Sequence, residues 1–335
     1  MVMMSGGVDS SVAAAVLRDE GHDVTGVTLK LWGGESDSGC CSASDVEDAR
    51  RVAAQLGIPH YVFNFTDEFD ANVVAPYVES YAAGETPNPC VECNRTMKFG
   101  RVIERAEQLG FDEVATGHHA RVVSTPHGRA IARGVDPAKD QSYVLYMLGP
   151  REIARTRLPI GEMTKAEVRE RAHALGLRTA SKKESMDVCF ITRGGRTAFL
   201  GDRIGRRPGV IVDTDGAEVG AHDGVDHFTI GQRRGTHVAQ GERRYVVDIA
   251  TDTATVTVGS RDALLRDHVQ LRDLTFAFAP PAAVLAQTRA HSEPFAAELR
   301  GDTLVFAAPQ TRVAPGQVVA CYDGSVVLGG GIAAN

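Results

Sequence analysis

Apolar residues in the first half of the chain switch repeatedly between two spacings. Val2-Met3-Met4 is a short unbroken apolar run, and Val12 to Leu17 continues it as a helix of valine, alanine and leucine. Between Val24 and Trp32, the residues Val27, Leu29 and Leu31 fall on alternate positions, which is the period of a strand. Ser44-Asp45-Val46-Glu47 reads as a capping box. The helix it opens carries Val46, Ala49, Val52, Ala53 and Leu56 on one stripe and is stopped by Gly57 and Pro59. Tyr61, Phe63 and Phe65 alternate again. Phe99, Val102, Ile103, Ala106 and Leu109 form a second helical stripe that ends at Gly110, and Glu113 to Thr116 is a short strand. Residues 120–134 read as a hairpin turning at Pro126-His127-Gly128. Thr164-Lys165-Ala166-Glu167 caps another helix, which ends near Gly176. Alternating strands and helices predict an α/β domain with a doubly wound parallel sheet. Ligands of such sheets bind beyond the carboxyl ends of the strands.

From about Gly201 the helical stripes vanish and glycines become frequent. Val210 to Val212, Tyr245 to Val247 and Thr255 to Val258 read as strands of a small β-rich module. His268 to Leu271, Phe295 to Leu299, Leu304 to Ala307 and Val318 to Tyr322 read as a second set, dense enough for a small barrel. The expected domains are therefore 1–200, 201–259 and 260–335.

Between the first apolar run and the first helix lies Ser5-Gly6-Gly7-Val8-Asp9-Ser10-Ser11. The glycines allow backbone conformations closed to residues with a Cβ. The helix start directs unpaired N–H groups and the positive end of its dipole at the turn, which makes the turn an anion site. No Gly-Lys-Ser/Thr follows, so this is not a Walker loop, and it is not G-x-G-x-x-G. The segment resembles the pyrophosphate loop of ATP pyrophosphatases, which make AMP and pyrophosphate. That resemblance implies that Asp9 holds Mg²⁺ near the phosphates.

Composition changes this picture little. The content is 43% hydrophobic and 24% charged, ordinary for a globular protein. With no apolar run near the ~20 residues of a membrane span and no signal peptide, the expectation is a cytoplasmic, monomeric protein without a membrane partner. Charge alters the expected partners more. The net charge is −7, yet residues 151–207 hold 14 basic and 7 acidic side chains, whereas residues 1–60 hold 4 basic and 9 acidic. A basic middle binds phosphate locally whatever the total.

Six cysteines, Cys40, Cys41, Cys90, Cys93, Cys189 and Cys321, are unlike a disulfide framework in a reducing compartment. Reactive thiols or a metal site are the alternatives. Thr86-Pro87-Asn88-Pro89-Cys90-Val91-Glu92-Cys93-Asn94 is expected to be a loop because of its prolines. It leads into the helix of Lys98 and Phe99, which places Cys93 near a helix N-terminus, where the dipole favours a thiolate. Cys40, Cys41, Cys90 and Cys93 together could hold zinc or an iron–sulfur cluster, although adjacent cysteines are awkward tetrahedral ligands. Cys321 lies in an apolar strand and is expected in the core.

Several segments now add up in order: the Ser5–Ser11 loop, Pro87-Asn88-Pro89, Cys93-Asn94, Ala115-Thr116-Gly117-His118, Lys139-Asp140-Gln141-Ser142-Tyr143, Cys189-Phe190-Ile191, Phe228-Thr229-Ile230-Gly231-Gln232-Arg233-Arg234-Gly235 and Leu328-Gly329-Gly330-Gly331. This ordered set resembles the bacterial tRNA-specific 2-thiouridylases over nearly the whole chain. The resemblance implies an adenine-nucleotide α-hydrolase-like catalytic domain and two β domains. It also implies ATP-dependent 2-thiolation of the wobble uridine of tRNAs for Lys, Glu and Gln. ATP and Mg²⁺ would be required, with no permanently bound metal. By the same resemblance Cys189 carries a persulfide loaded by a sulfur-carrier protein. Cys93 is the second catalytic thiol, attacking the persulfide or acting as acid and base, and a Cys93–Cys189 disulfide forms in the cycle. Met3, Met4, Ser5, Gly6, Gly7, Val8, Asp9, Ser10, Leu29 and Gly117 would bind ATP. Asn88, Pro89 and Cys90 would lie beside the target base, and His118, Lys139, Asp140, Gln141 and Gln317 would meet the tRNA. Many relatives carry Asp at the position of Cys90. A rival reading is a pyrophosphate-loop ligase or amidotransferase for a small molecule, which would need neither Cys93 nor Cys189.

Overall fold

The computed structural model describes residues 1–32, 42–183, 188–191, 195–205, 207–236, 238, 243–290 and 292–334. The N-terminal domain is built on a five-stranded parallel sheet. Its strands include β1 (Val2–Met3), β2 (Gly26–Lys30), β3 (His60–Asn64) and β4 (Val114–Ala115). The spatial order is β3-β2-β1-β4, followed by Thr156–Arg157. Successive side chains of β1 point to opposite faces, as strand geometry requires. Met1 and Met3 enter a core shared with the helix of residues 89–108, while Val2 and Met4 enter one shared with α1 (Val8–Asp19) and α2 (Ala43–Leu56). Both faces are covered at β1, which explains its unbroken apolar run, whereas the edge strand β3 leaves Tyr61 and Val62 exposed.

Several boundaries differ from expectation for local reasons. Helix α2 starts two residues earlier than predicted. Its cap is Ser42, whose hydroxyl accepts from the Asp45 N–H while the Asp45 side chain reaches back. Gly57 closes it in a left-handed conformation. The stretch expected to be a loop up to Asn94 is helical from Pro89 onward. Proline fits the first helical position, where its missing N–H costs nothing, and Asn88 caps the turn by accepting from the N–H groups of Cys90 and Val91. Residues 89–108 then form one continuous helix with a π-helical stretch at Cys93–Arg101.

The second half is β, as expected. Strands Gly209–Val212, Glu218–His222, Tyr245–Ala250 and Thr255–Gly259 form one sheet. Glu218–His222 gave no signal in the sequence. A helix at Gly195–Ile204 precedes this sheet and runs across the expected boundary at residue 200. Leu265–Phe276, Thr303–Thr311, Phe295–Arg300, Ala283–Gln287, Val318–Asp323 and Val326–Ala333 pair in that order. The last pairs back onto the first, which closes a six-stranded barrel. The barrel sheet also takes in the hairpin Ala120–Thr125/Gly128–Arg133 through the pair Val326–Ala132. The N-terminal domain thus contributes two strands to the C-terminal sheet.

The seam between these domains shares the apolar core that includes Val318, Ala320, Tyr322 and Val327, and it also buries polar contacts. Tyr143, 2% exposed, donates its hydroxyl to the Val318 carbonyl at 2.8 Å. Arg133 lies over the Tyr322 ring at 3.9 Å and donates to Asp140 and Gln287. Tyr143→Phe keeps the ring and leaves a buried carbonyl short of a donor. It is expected to destabilise the chain by about 1–2 kcal/mol, read as a lower midpoint in urea unfolding.

Candidate active site

Strand order reverses between β1 and β4, so the crevice at the top of the sheet opens between their carboxyl ends. The Ser5–Ser11 loop leaves β1 there, and Gly117 follows β4. A Cβ on Gly117 would sit 2.5 Å from the Ser10 backbone nitrogen, so only glycine allows this approach. Gly6 has φ +70°, and a Cβ there would meet the Asp45 carbonyl oxygen at 2.3 Å. Gly7 caps α1 without a side-chain acceptor, which leaves first-turn N–H groups for an anion. Ser10 and Ser11 donate their hydroxyls to the Gly7 carbonyl at 3.2 and 2.8 Å, and the Ser5 N–H donates to Ser10 Oγ at 3.1 Å. The loop is therefore shaped before any ligand arrives. Met3, Met4, Val8 and Leu29 are buried beneath it.

Asp9 emerges from this loop into a charged cluster. Lys165 Nζ donates to both its oxygens at 2.7 and 2.8 Å, and His119 Nε2 lies 3.1 Å from Oδ1. Burial pushes the Asp9 carboxyl up, but the hydrogen bonds of His119 and Lys165 outweigh it and hold the group below the usual carboxylate range. Sequence reading missed both partners. Lys165 read only as the first residue of a capped helix. A cation at that position opposes the helix dipole, and such a local conflict is a signal of a functional site.

Lys182 is a third missed residue. Its ammonium donates to the Gly6 carbonyl at 3.0 Å, to Asp45 Oδ1 at 2.6 Å and to Asp48 Oδ2 at 2.7 Å.

The thiols lie on the other face of the sheet. Cys93, 8% exposed, belongs to the core that also holds Met1, Met3 and Leu29, and half-buried Cys189 packs against that core. Phe190 anchors the Cys189 segment. It is 1% exposed, with ring centroids 5.3 Å from Tyr77 and Phe199, 5.8 Å from Phe69 and 6.1 Å from Trp32. Cys93 sits in the second turn of its helix, not the first, because the helix starts at Pro89. The dipole's effect fades within one turn, so it bears on Cys90 rather than Cys93. Cys40 and Cys41 lie outside the described residues. Cys321 is fully buried, and burial pushes its thiol up to about 12.

The residues expected to meet tRNA are placed unequally. His118 is buried, with Nδ1 2.6 Å from Thr116 Oγ1, and burial pushes its pKa well below the ordinary value, so it is neutral. Asp140 is also buried, accepting from Arg133, the Gly134 N–H and Ser142. Gln141 is exposed, and its side-chain oxygen accepts from the His119 N–H at 2.9 Å. Lys139 and Gln317 are half-buried. Gln317 donates to the Thr86 carbonyl, and the Thr86 N–H donates to the Pro315 carbonyl at 2.7 Å. The barrel thus grips the loop that presents Asn88, Pro89 and Cys90.

Asp9 also sets a dependence on pH. Its folded pKa lies below the unfolded one, so its ion pair stabilises above the unfolded value and is lost as pH falls through the folded value. Asp9→Asn is expected to lower stability by about 1–2 kcal/mol at pH 7, less than a fully buried pair would lose. The gap to the parent closes below about pH 4. Melting curves from pH 3 to 7 measure this.

Comparison with known proteins agrees with the geometry. Residues 1–193 match the family model described as tRNA methyl transferase HUP domain, and 197–260 the corresponding PRC-barrel domain. Residues 266–333 match an aminomethyltransferase β-barrel domain. The tRNA-specific 2-thiouridylase MnmA of Roseiflexus castenholzii is 47% identical over 367 residues, covering 99% of this chain and 98% of its own. The protein of the same name from Frankia casuarinae is 48% identical over 345 residues, covering 99% and 97%. The methyl-transferase wording attaches to the family models and the thiouridylase wording to the relatives aligned end to end. The chain belongs to the tRNA-specific 2-thiouridylase family.

Proposed function

We propose that this protein uses ATP to convert the C2 carbonyl of a tRNA wobble uridine to a thiocarbonyl, with Cys189 as sulfur carrier and Cys93 as resolving thiol. The carrying observation is that Cys93 lies in the core that also holds Met1, Met3 and Leu29, and that Cys189, 96 residues away in the chain, packs against that same core. A pyrophosphate-loop ligase has no need of that.

The uridine C2 oxygen attacks the α-phosphate of ATP and pyrophosphate leaves. The oxygen then departs as AMP when sulfur attacks C2. Glycine-lined N–H groups at the start of α1 suit the phosphates. ATP brings its own divalent ion, and Mg²⁺ with nucleotide phosphates takes only one or two protein carboxylates. Asp9, ionised and at the loop, fits as the residue that would hold it, and the ion would offset phosphate charge. Lys165 and His119 aim Asp9.

The difference in burial supports the division of labour between thiols. Half-buried Cys189 can accept sulfur from an external carrier protein as a persulfide. Once the terminal sulfur bonds to C2, buried Cys93 attacks Cys189 Sγ. The Sγ–S bond breaks, its electron pair stays with the sulfur on C2, and a Cys93–Cys189 disulfide remains for an external reductant. Neutral His118 and buried Asp140 support the site from behind, and Lys139, Gln141, Asn88 and Gln317 lie toward the tRNA. The base leaves its stack to reach the thiols. The protein acts as a monomer on tRNAs for Lys, Glu and Gln in the cytoplasm. Among the described residues, no helix is long and apolar enough to cross a membrane.

Incubation with ATP, Mg²⁺, a persulfide-charged sulfur-carrier protein, a thiol reductant and unmodified tRNA, followed by nucleoside mass analysis, is expected to give ATP-dependent 2-thiouridine. Cys93→Ser and Cys189→Ser each lower it at least about 100-fold, and normal thiolation by either variant refutes the reading. Gly117→Ala, whose Cβ displaces Ser10, is expected to raise the KM for ATP at least about tenfold. That variant tests the nucleotide half separately by pyrophosphate release.

A further inference from the structure

Lys139, Asp140 and Gln141 are neighbours in the chain, yet they are not equally available to a ligand. Asp140 is 6% exposed. A carboxylate has about four acceptor sites, and the protein itself occupies them. Oδ1 accepts from the N–H groups of Gly134 and Ser142 at 3.0 and 3.1 Å, and Oδ2 from Arg133 and the Ser142 hydroxyl, both at 2.9 Å. This leaves the carboxylate without an acceptor site for a tRNA hydroxyl or base.

Arg133 reaches furthest from this cluster. It ends the hairpin strand Gly128–Arg133, and its guanidinium forks. One nitrogen holds Asp140, the other donates to Gln287 Oε1 at 2.6 Å, and the group lies 3.9 Å from the centre of the Tyr322 ring. Gln287, 1% exposed, gives its amide nitrogen to the carbonyls of Arg289 and Ala290 at 2.8 and 2.9 Å. A planar fork can bridge two acceptors in this way, and a lysine ammonium on its flexible stem does not reproduce it. The loop before Asp140 is pinned by Asp136, which accepts from the N–H groups of Ala138 and Lys165 at 3.0 Å. After Asp140, the Gln141 N–H donates to the His119 carbonyl and its side-chain oxygen accepts from the His119 N–H, both at 2.9 Å. Lys139 therefore sits on a loop held on both sides.

We infer that Arg133 is a positioning residue for tRNA binding: through Asp140 it fixes the loop that presents Lys139, and Asp140 itself makes no contact with the nucleic acid. Gln287 sets the fork from the barrel side, so the loop of the catalytic domain and the barrel turn at residues 289–290 are held in one register. Arg133 thus contributes affinity for a ligand it does not touch. A loop fixed before the ligand arrives loses little freedom on binding, and that is how preorganisation strengthens a complex. This inference rests on the tRNA-binding part of the reading above.

The test is a double-mutant cycle on the dissociation constant for unmodified tRNA, measured with the full chain at fixed salt. Arg133→Lys keeps a positive charge beside Asp140 and removes the fork. It is expected to weaken binding about fivefold, as is Lys139→Gln, and the double variant about fivefold instead of the ~25-fold of independent sites. In thiolation, Arg133→Lys raises the KM for tRNA in the same proportion, while kcat and the KM for ATP stay within about twofold of the parent. The salt dependence of binding falls by about one phosphate contact in each single variant and no further in the double. Gln287→Met serves if Arg133→Lys does not fold, and is expected to weaken binding about threefold and to add nothing to Lys139→Gln. Parent-like affinity in Arg133→Lys overturns the inference, and so do costs that multiply in the double variant. A parent that binds no tRNA would instead remove the underlying reading, and the inference with it.

Discussion

Val2 on β1 pairs in parallel with Ala115 on β4, and the site depends on that contact. It brings two chain ends together at the switch in strand order, so that Gly117 touches Ser10 at backbone distance. It also delivers His119 to Asp9, since His119 follows two residues after Gly117. The loop's serines spend their hydroxyls on the loop itself, and Asp9 spends its charge on Lys165 and His119. A site shaped this way costs little reorganisation when a phosphate arrives, which is the condition for electrostatic stabilisation to favour the transition state.

The β domains are built into this arrangement rather than appended to it. The hairpin Ala120–Arg133 leaves the catalytic sheet just after His119 and joins the barrel sheet. Thr86, just before the Pro87–Cys90 stretch, is gripped by Pro315 and Gln317 of the barrel and lies 3.5 Å from Thr229 of the middle domain. Three domains therefore meet at one residue beside the thiol helix. A partner as large as tRNA, bearing on either β domain, would act on the placement of Asn88 and Cys93 through that residue.

The fold class, the glycine turn after β1 and the barrel were legible in the sequence, because each has a local signature: a period, a glycine turn or a strand density. What escaped was long-range or ambiguous. Nothing near Lys165 or Lys182 announces that their ammonium groups end on Asp9 and Gly6, 156 and 176 residues away. Pro87-Asn88-Pro89 read as a loop because proline breaks helices, whereas Pro89 opens one. Ser44 competed with Ser42 as a cap, and only the reach of the Asp45 side chain decided between them. The resemblance that assigned His118 and Asp140 to tRNA carried no measure of their burial.

The thiols show how surroundings assign chemistry to identical side chains. Cys321 is sealed in a barrel core with its thiol pushed far from ionisation, so it serves packing alone. Cys90 occupies the first turn of its helix, where the dipole acts. Cys93 lies beyond that turn, at the start of a π-helical stretch, a feature that recurs at functional sites. In the proposed thiolation its competence would rest on proximity to Cys189 instead of on the helix end. Exchange between two sulfurs depends on access and alignment as well as on acidity. A resolving thiol brought to its partner by a shared core would gain an effective concentration that no dipole could supply.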